Sequence, residues 1–260
     1  MRVLVGIVLA VTAAGAARAQ ETPICTDRPA KANAVCTVPA GRVQIETSGL
    51  GWSLTDLGGL HTELLTIGAS VVKFGLSERS DFQMAFTPYA ELRTRNGPQR
   101  RVSGSGDLVV RYKYRLTGSD APVQIAAIPF AKLPTASDGL GNGAVEGGLA
   151  IPVSFALFGP ATMTFGPELD VLADADGNGR HVALVNVVNV SAPIAPRLTL
   201  AGELWTNLNF DPDGTVEQVS ADVALAYSVS NDLQFDMGAN LGLTRDTADV
   251  ELYAGLSLRF

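Results

Sequence analysis

The chain has 260 residues, 47% of them apolar and 17% charged, and its 26 acidic against 19 basic residues give a formal net charge of −7. That balance argues against nucleic acid as a partner, since a phosphate backbone is bound by basic patches. Past the amino-terminal segment nothing approaches the ~18 consecutive apolar residues of a spanning helix, so entry into a membrane requires a closed barrel.

Met1-Arg2, an apolar run rich in small residues and then Ala17-Arg18-Ala19 read as a secretory signal over residues 1–19. A retained amino-terminal anchor fits less well, because the run is short and ends in a cleavage pattern. Removing the signal leaves 17 basic against 26 acidic residues, net −9, in about 240 residues, a length that suits one barrel or sandwich better than two domains. Residues 20–41 form a periplasmic segment that carries both cysteines, Cys25 and Cys36. In an exported protein such a close pair reads as a local disulfide with a structural role. Lipid modification of Cys25 fits poorly because that residue is not at the cut, and zinc fits worse with only His61 and His181 in the chain. Neither a metal nor a cofactor is assigned.

From residue 42 the chain alternates in strand fashion, with a period of two that a helix cannot lay on two faces. Arg42 to Glu46 opens the first strand, and Thr62 to Leu76 forms a blurred second. After a short turn, Phe82, Met84 and Phe86 alternate with Gln83, Ala85 and Thr87, continuing through Glu91 and Arg93 into a polar loop over 95–106. Leu108, Val110, Tyr112 and Tyr114 then oppose Arg111, Lys113 and Arg115. Further strands follow over 123–134, 145–157 and 162–171, with a Gly-rich loop at 136–143 and a DADGNGR loop at 174–180. Residues 182–191 return to a turn at Ala192-Pro193, and two more strands flank the loop DPDGT. The last thirty residues are the clearest: Leu233, Phe235, Met237, Ala239, Leu241 and Leu243, then Val250, Leu252, Ala254, Leu256, Leu258 and Phe260, each alternating with small or polar residues.

The count is twelve, an even number, and each strand of the terminal pair reaches the ~9–11 residues that cross a bilayer. Short turns recur at intervals of about 35–40 residues, with longer Gly-, Asn- and Asp-rich loops between them. The expected fold is therefore all-β: a transmembrane antiparallel up-and-down β-barrel over residues 42–260, with both termini in the periplasm. A soluble sandwich would instead bury the apolar face. Pro88, Pro129, Pro152 and Pro167 fall within strand patterns, where a missing N–H predicts bulges or strand ends.

With the apolar face toward lipid, Glu46, Glu91, Arg93, Arg111, Lys113, Arg115, Glu146, Glu168, Asp170, Glu203, Asp222, Asp236, Glu251 and Arg259 point into the lumen. Unpaired and dry, each would cost several kcal/mol, so they are paired or wet. Basic residues concentrate on the third and fourth strands and acidic ones on the later strands, which sets a field across the lumen. Twelve strands leave more room than the filled eight-stranded barrel and less than the open porins, so a narrow or gated passage follows. A lumen closed by its own paired side chains carries comparable weight.

Catalytic constellations are thin. Neither His61 nor His181 sits in a serine, histidine and carboxylate motif, and the His-x-Ser pair of the twelve-stranded outer-membrane phospholipases is missing. The loop at 174–180 begins like a calcium loop but lacks its closing glutamate.

The leader CTDRPAKANAVCTVPAGRVQIE, the strand start SGSGDLVVRYKYRL, the segment AKLPTASDGLGNGAVEGGLAIPVSFAL and the terminal aromatic resemble the outer-membrane transporter family named for the meta-pathway of phenol degradation. The likeness covers essentially the whole mature chain. It implies a barrel in the outer membrane of a Gram-negative bacterium, in contact with outer-membrane lipid, that admits small solutes, aromatic or hydrophobic compounds among them. Phe260 resembles the terminal signal read by the barrel-assembly machinery. The expected function is a porin-like channel or transporter and not an enzyme. The alternatives are a structural or surface-interaction barrel and, further off, a lipid-acting barrel enzyme.

Overall fold

The computed structural model describes residues 22–97 and 99–260, so the secretory signal expected at 1–19 lies outside the described residues. Among the described residues there is no helix. The strand segments are β1 (Val43–Leu57), β2 (Leu60–Ser77), β3 (Ser80–Phe86), β4 (Tyr89–Arg95), β5 (Arg100–Gly104), β6 (Leu108–Arg115), β7 (Val123–Leu133), β8 (Glu146–Ala150), β9 (Val153–Phe158), β10 (Ala161–Phe165), β11 (Glu168–Ala173), β12 (Arg180–Ala195), β13 (Leu198–Asp211), β14 (Gly214–Ser228), β15 (Leu233–Gly242) and β16 (Val250–Arg259). All pairings are antiparallel, and β1 pairs with both β2 and β16, from Gln44 opposite Arg259 to Leu54 opposite Val250. The sheet is thus a closed ring.

Sixteen segments make twelve staves, because β3 with β4, β5 with β6, β8 with β9 and β10 with β11 are each one stave interrupted once. Three of the four interruptions fall at prolines, Thr87-Pro88, Ile151-Pro152 and Gly166-Pro167. A proline has no ladder donor, and the neighbouring backbone restores the bonding: Gly106 N–H donates to Thr87 O at 2.9 Å and Ile151 N–H to Pro167 O at 2.9 Å. Opposite Pro88, β2 bends at Gly68, whose φ of 71° a side-chain-bearing residue rarely adopts. Pro129 departs from expectation. It neither ends nor divides β7, where it pairs with Leu149, and only the bonding to β6 lapses beside it.

Two connections also differ from the sequence reading. The polar stretch 95–106 contains β5, paired to β4, and DPDGT is a tight reversal between Asp211 and Gly214 rather than a long loop. The turn placed at Ala192-Pro193 lies instead at Pro196-Arg197, where Arg197 takes a φ of 65°.

The wall is apolar outside and polar inside. On β14, Val223 and Tyr227 are 49% and 47% exposed, while the alternate Asp222, Ala224 and Ala226 are buried. Leu204, Phe235, Met237, Leu241 and Leu252 continue the outer belt. A contiguous apolar surface of this kind marks a partner, and on a closed barrel of such staves that partner is lipid. The fold is that of an outer-membrane barrel, with its short turns and both described ends at the periplasmic rim. The Phe260 ring is exposed in that belt, and its N–H donates to Val43 O at 2.8 Å across the seam.

Candidate functional site in the barrel interior

Residues 22–41, which the sequence reading leaves outside the barrel in the periplasm, run within the wall. They enter at the periplasmic rim, where Ile24 N–H donates to Asn231 O at 2.7 Å and Thr22 O accepts from Arg259 at 2.8 Å. They return to the same rim through Thr37, bonded to Glu78 O, and Gly41, bonded to Gly75 O. Cys25 and Cys36 form a disulfide across the two limbs. Everything between is a loop projecting into the lumen.

The loop carries opposite charges to opposite walls. On the basic side Asp27 pairs with Lys73 at 2.5 Å and Lys113 at 2.8 Å, and Lys113 also donates to Ala34 O at 2.7 Å. Arg111 donates to Asn33. On the acidic side Arg28 grips Asp236 with two bonds, at 2.5 and 3.2 Å. Lys31 reaches Asp222 at 3.2 Å and lies 4.4 Å above the Trp205 ring, while Glu203 accepts from the backbone N–H groups of Lys31 and Ala32 at 2.8 and 3.0 Å. Glu46 accepts from the Asp27 and Arg28 N–H groups and pairs with Lys73. Tyr253 donates to Pro29 O at 2.9 Å, its ring covering Gly238, where any Cβ would strike it. Lys73 and Lys113 are each about 1% exposed, and without partners each would cost several kcal/mol.

Burial by itself would push the Asp27 carboxyl up. Lys113, Lys73 and Arg111 outweigh it and hold that carboxyl well below the usual carboxylate range.

Of the residues assigned to the lumen from sequence, Glu46, Glu91, Lys113, Glu203, Asp222, Asp236 and Arg259 are buried. All but Glu91 and Arg259 are engaged by the loop, through its side chains or its backbone N–H groups, and Arg259 holds Thr22 and Asp232 at the rim. Arg115 donates to Glu78 O at 3.0 Å, also at the rim. Glu91 gathers Tyr89, Arg93 and Arg101 nearer the outer end, and Glu251 accepts from Asn240 at 2.7 Å. Glu146 pairs with Lys132 at 2.8 Å. Glu168 and Asp170 lie on β11, with one Asp170 oxygen buried and unbonded. The sequence reading missed Asp27, Arg28, Lys31 and Lys73. The signal was present in the leader, as an acid and two bases within five residues.

Two spaces remain beside the loop. One of ≈ 260 Å³ lies toward Thr164, Asn189, Ser191 and Thr199, and another of ≈ 340 Å³ lies among Lys31, Arg111, Phe130 and Glu168. Asn33, which accepts from Arg111, borders both.

A family model described as "Putative MetA-pathway of phenol degradation" matches residues 26–260, which takes in the loop as well as the barrel. The chain belongs to that family. Among solved structures, the COG4313 outer membrane channel from Pseudomonas putida F1 superposes with a TM-score of 0.69 at 14% identity, covering 87% of this chain and 98% of that one. The NanC porin gives 0.54 at 12% identity, over 83% and 98%. The transport unit of the autotransporter AIDA-I from Escherichia coli gives 0.50 at 11%, over 91% and 92%. At these identities the likeness is one of fold. No curated protein matches the sequence.

The two histidines have carboxylate partners. His61 Nδ1 lies 3.5 Å from Asp56, and His181 lies 2.8 Å from Asp174. Among the described residues neither is bonded to a serine hydroxyl, so these contacts activate no nucleophile.

Proposed function

We propose that this protein is an outer-membrane channel for small solutes, aromatic or hydrophobic ones among them, gated by its own amino-terminal loop. The observation that carries this reading is the pair of spaces on either side of Asn33, inside a wall that is polar within and apolar without. The space of ≈ 340 Å³ is near the lower limit of small-molecule sites, ~300 Å³, and suits a single-ring compound more than an oligomer. Phe130 offers such a ring an apolar contact, while Arg111 and Lys31 face its polar substituent. The lumen-facing charges named from sequence then line the path and set its selectivity. The likeness to the Pseudomonas putida outer membrane channel supports the same reading, as does the family's label.

Planar-bilayer recording of the purified protein tests it. Wild type is expected to show small, infrequent openings, and a variant lacking residues 22–34 a steady, larger conductance. Silence from both would sink the channel. The contacts that seat the loop favour one other reading, a structural barrel closed for good, and in that case the shortened variant would unfold rather than conduct. Phe260 completes the proposal as the mark by which the assembly machinery takes up the chain; its removal should lower the amount of folded barrel in the membrane.

A further inference from the structure

Asp174, His181 and Asp211 converge at the outer mouth of the barrel, from the connection after β11, the second residue of β12 and the last residue of β13. His181 Nδ1 lies 2.8 Å from an Asp174 oxygen and 3.5 Å from an Asp211 oxygen, and the three candidate ligand atoms fall within 4.8 Å of one another. Metal–ligand bonds of ~2.0–2.2 Å at tetrahedral or octahedral angles separate neighbouring ligand atoms by roughly 3 Å, so the spacing suits one ion. The three side chains are only 5%, 13% and 11% exposed, two of them acidic.

A second observation comes from the imidazole itself. His181 is about nine-tenths buried, and its Nε2 has no hydrogen-bond partner. Nδ1 is the nitrogen turned toward both carboxylates and is the ligand atom offered to an ion, while Nε2 points away on the far side of the ring. The nearest base in sequence, Arg180, donates to Val145 O rather than to the carboxylates. Gly179 leaves the nook free, since a Cβ there would collide with Asp174 Oδ2. The calcium-loop resemblance of this stretch takes no part, because Asp176 is bonded to Asn178.

We propose that Asp174, His181 and Asp211 bind a divalent first-row transition ion of the Zn²⁺ class, tying the β11–β12 connection to the β13–β14 reversal at the mouth. One imidazole nitrogen with two carboxylate oxygens suits such an ion better than a hard cation, which prefers oxygen throughout. A cavity of ≈ 530 Å³ beside Asp174 and Arg180 gives it an entry path.

The test uses the full-length protein in detergent, stripped with a chelator and titrated with Co²⁺, whose visible d–d band reports coordination. Wild type should saturate at one ion per barrel, and Zn²⁺ should displace it. His181→Gln and Asp211→Asn should each weaken binding by about tenfold or more, while His61→Gln should leave it unchanged. Heat-modifiable migration on gels checks that each variant is folded, and if one is not, the other is read. Absence of saturable Co²⁺ binding by wild type overturns the site, as does binding that survives both substitutions or is lost with His61→Gln.

Discussion

Asp27 and Lys113 meet at 2.8 Å inside the barrel although 86 residues separate them in sequence, and Asp27 holds Lys73 at the same time. One carboxylate of the loop thereby bonds two lysines of the wall, and Glu46 supplies the second negative charge at Lys73. The loop is fixed by charge as much as by its covalent link to β1.

Replacing Asp27 by Asn should be costly, because Lys113 keeps only the Ala34 carbonyl as a bonded partner. Breaking a buried pair from one side costs ~3–5 kcal/mol, whereas replacing both members by apolar residues is often neutral. Asp27→Asn should therefore lower the denaturant midpoint and lengthen channel openings, and Asp27→Leu with Lys113→Met should recover most of the lost stability. If Asp27→Asn unfolds at the wild-type midpoint, the pair contributes nothing.

Acidification should open the channel only at strongly acid pH. The Asp27 carboxyl is depressed in the folded state, so its contribution is complete above its unfolded value of about 3.9 and disappears as pH falls through the lower folded value. Open probability should stay level from pH 8 down to about 4. A rise with a midpoint near pH 6 would mean that a different group holds the loop.

Opening the Cys25–Cys36 bond should loosen the loop without touching the wall. The cysteines are 11 residues apart, and chain entropy assigns a ring of that size ~3 kcal/mol. Brief, frequent openings are expected after thiol treatment or in Cys25→Ser with Cys36→Ser, with the thermal midpoint of the strand signal in circular dichroism nearly unchanged. Identical recordings before and after reduction would show that the wall contacts suffice.

Gly238 and Tyr253 pair across β15 and β16, and the ring lies where a Cβ at 238 would stand. Gly238→Ala should push the ring aside and break its bond to Pro29 O, as Tyr253→Phe does more gently at ~1 kcal/mol. Both variants should raise conductance, Gly238→Ala by more. Equal conductance in all three proteins would detach this pair from the loop.

The sequence alone determined the wall. A period of two places Leu233, Phe235 and Met237 on one face and Gln234 and Asp236 on the other whatever surrounds them, and twelve such runs predicted a closed barrel, with bulges or strand ends expected at the prolines. The pattern blurred where geometry shifts its phase: β1 reads clearly only to Glu46, because the register slips between Ser48 and Leu50 and transfers the inward face from Ser48 to Gly51. The contents of the wall were decided only in three dimensions. Asp27, Arg28 and Lys31 show no periodicity, and their partners at 73, 113, 222 and 236 are brought together by closure of the ring. Alternation is a property of neighbours along the chain, whereas an ion pair across a lumen depends on which staves end up facing each other, and that is known only once β1 has met β16.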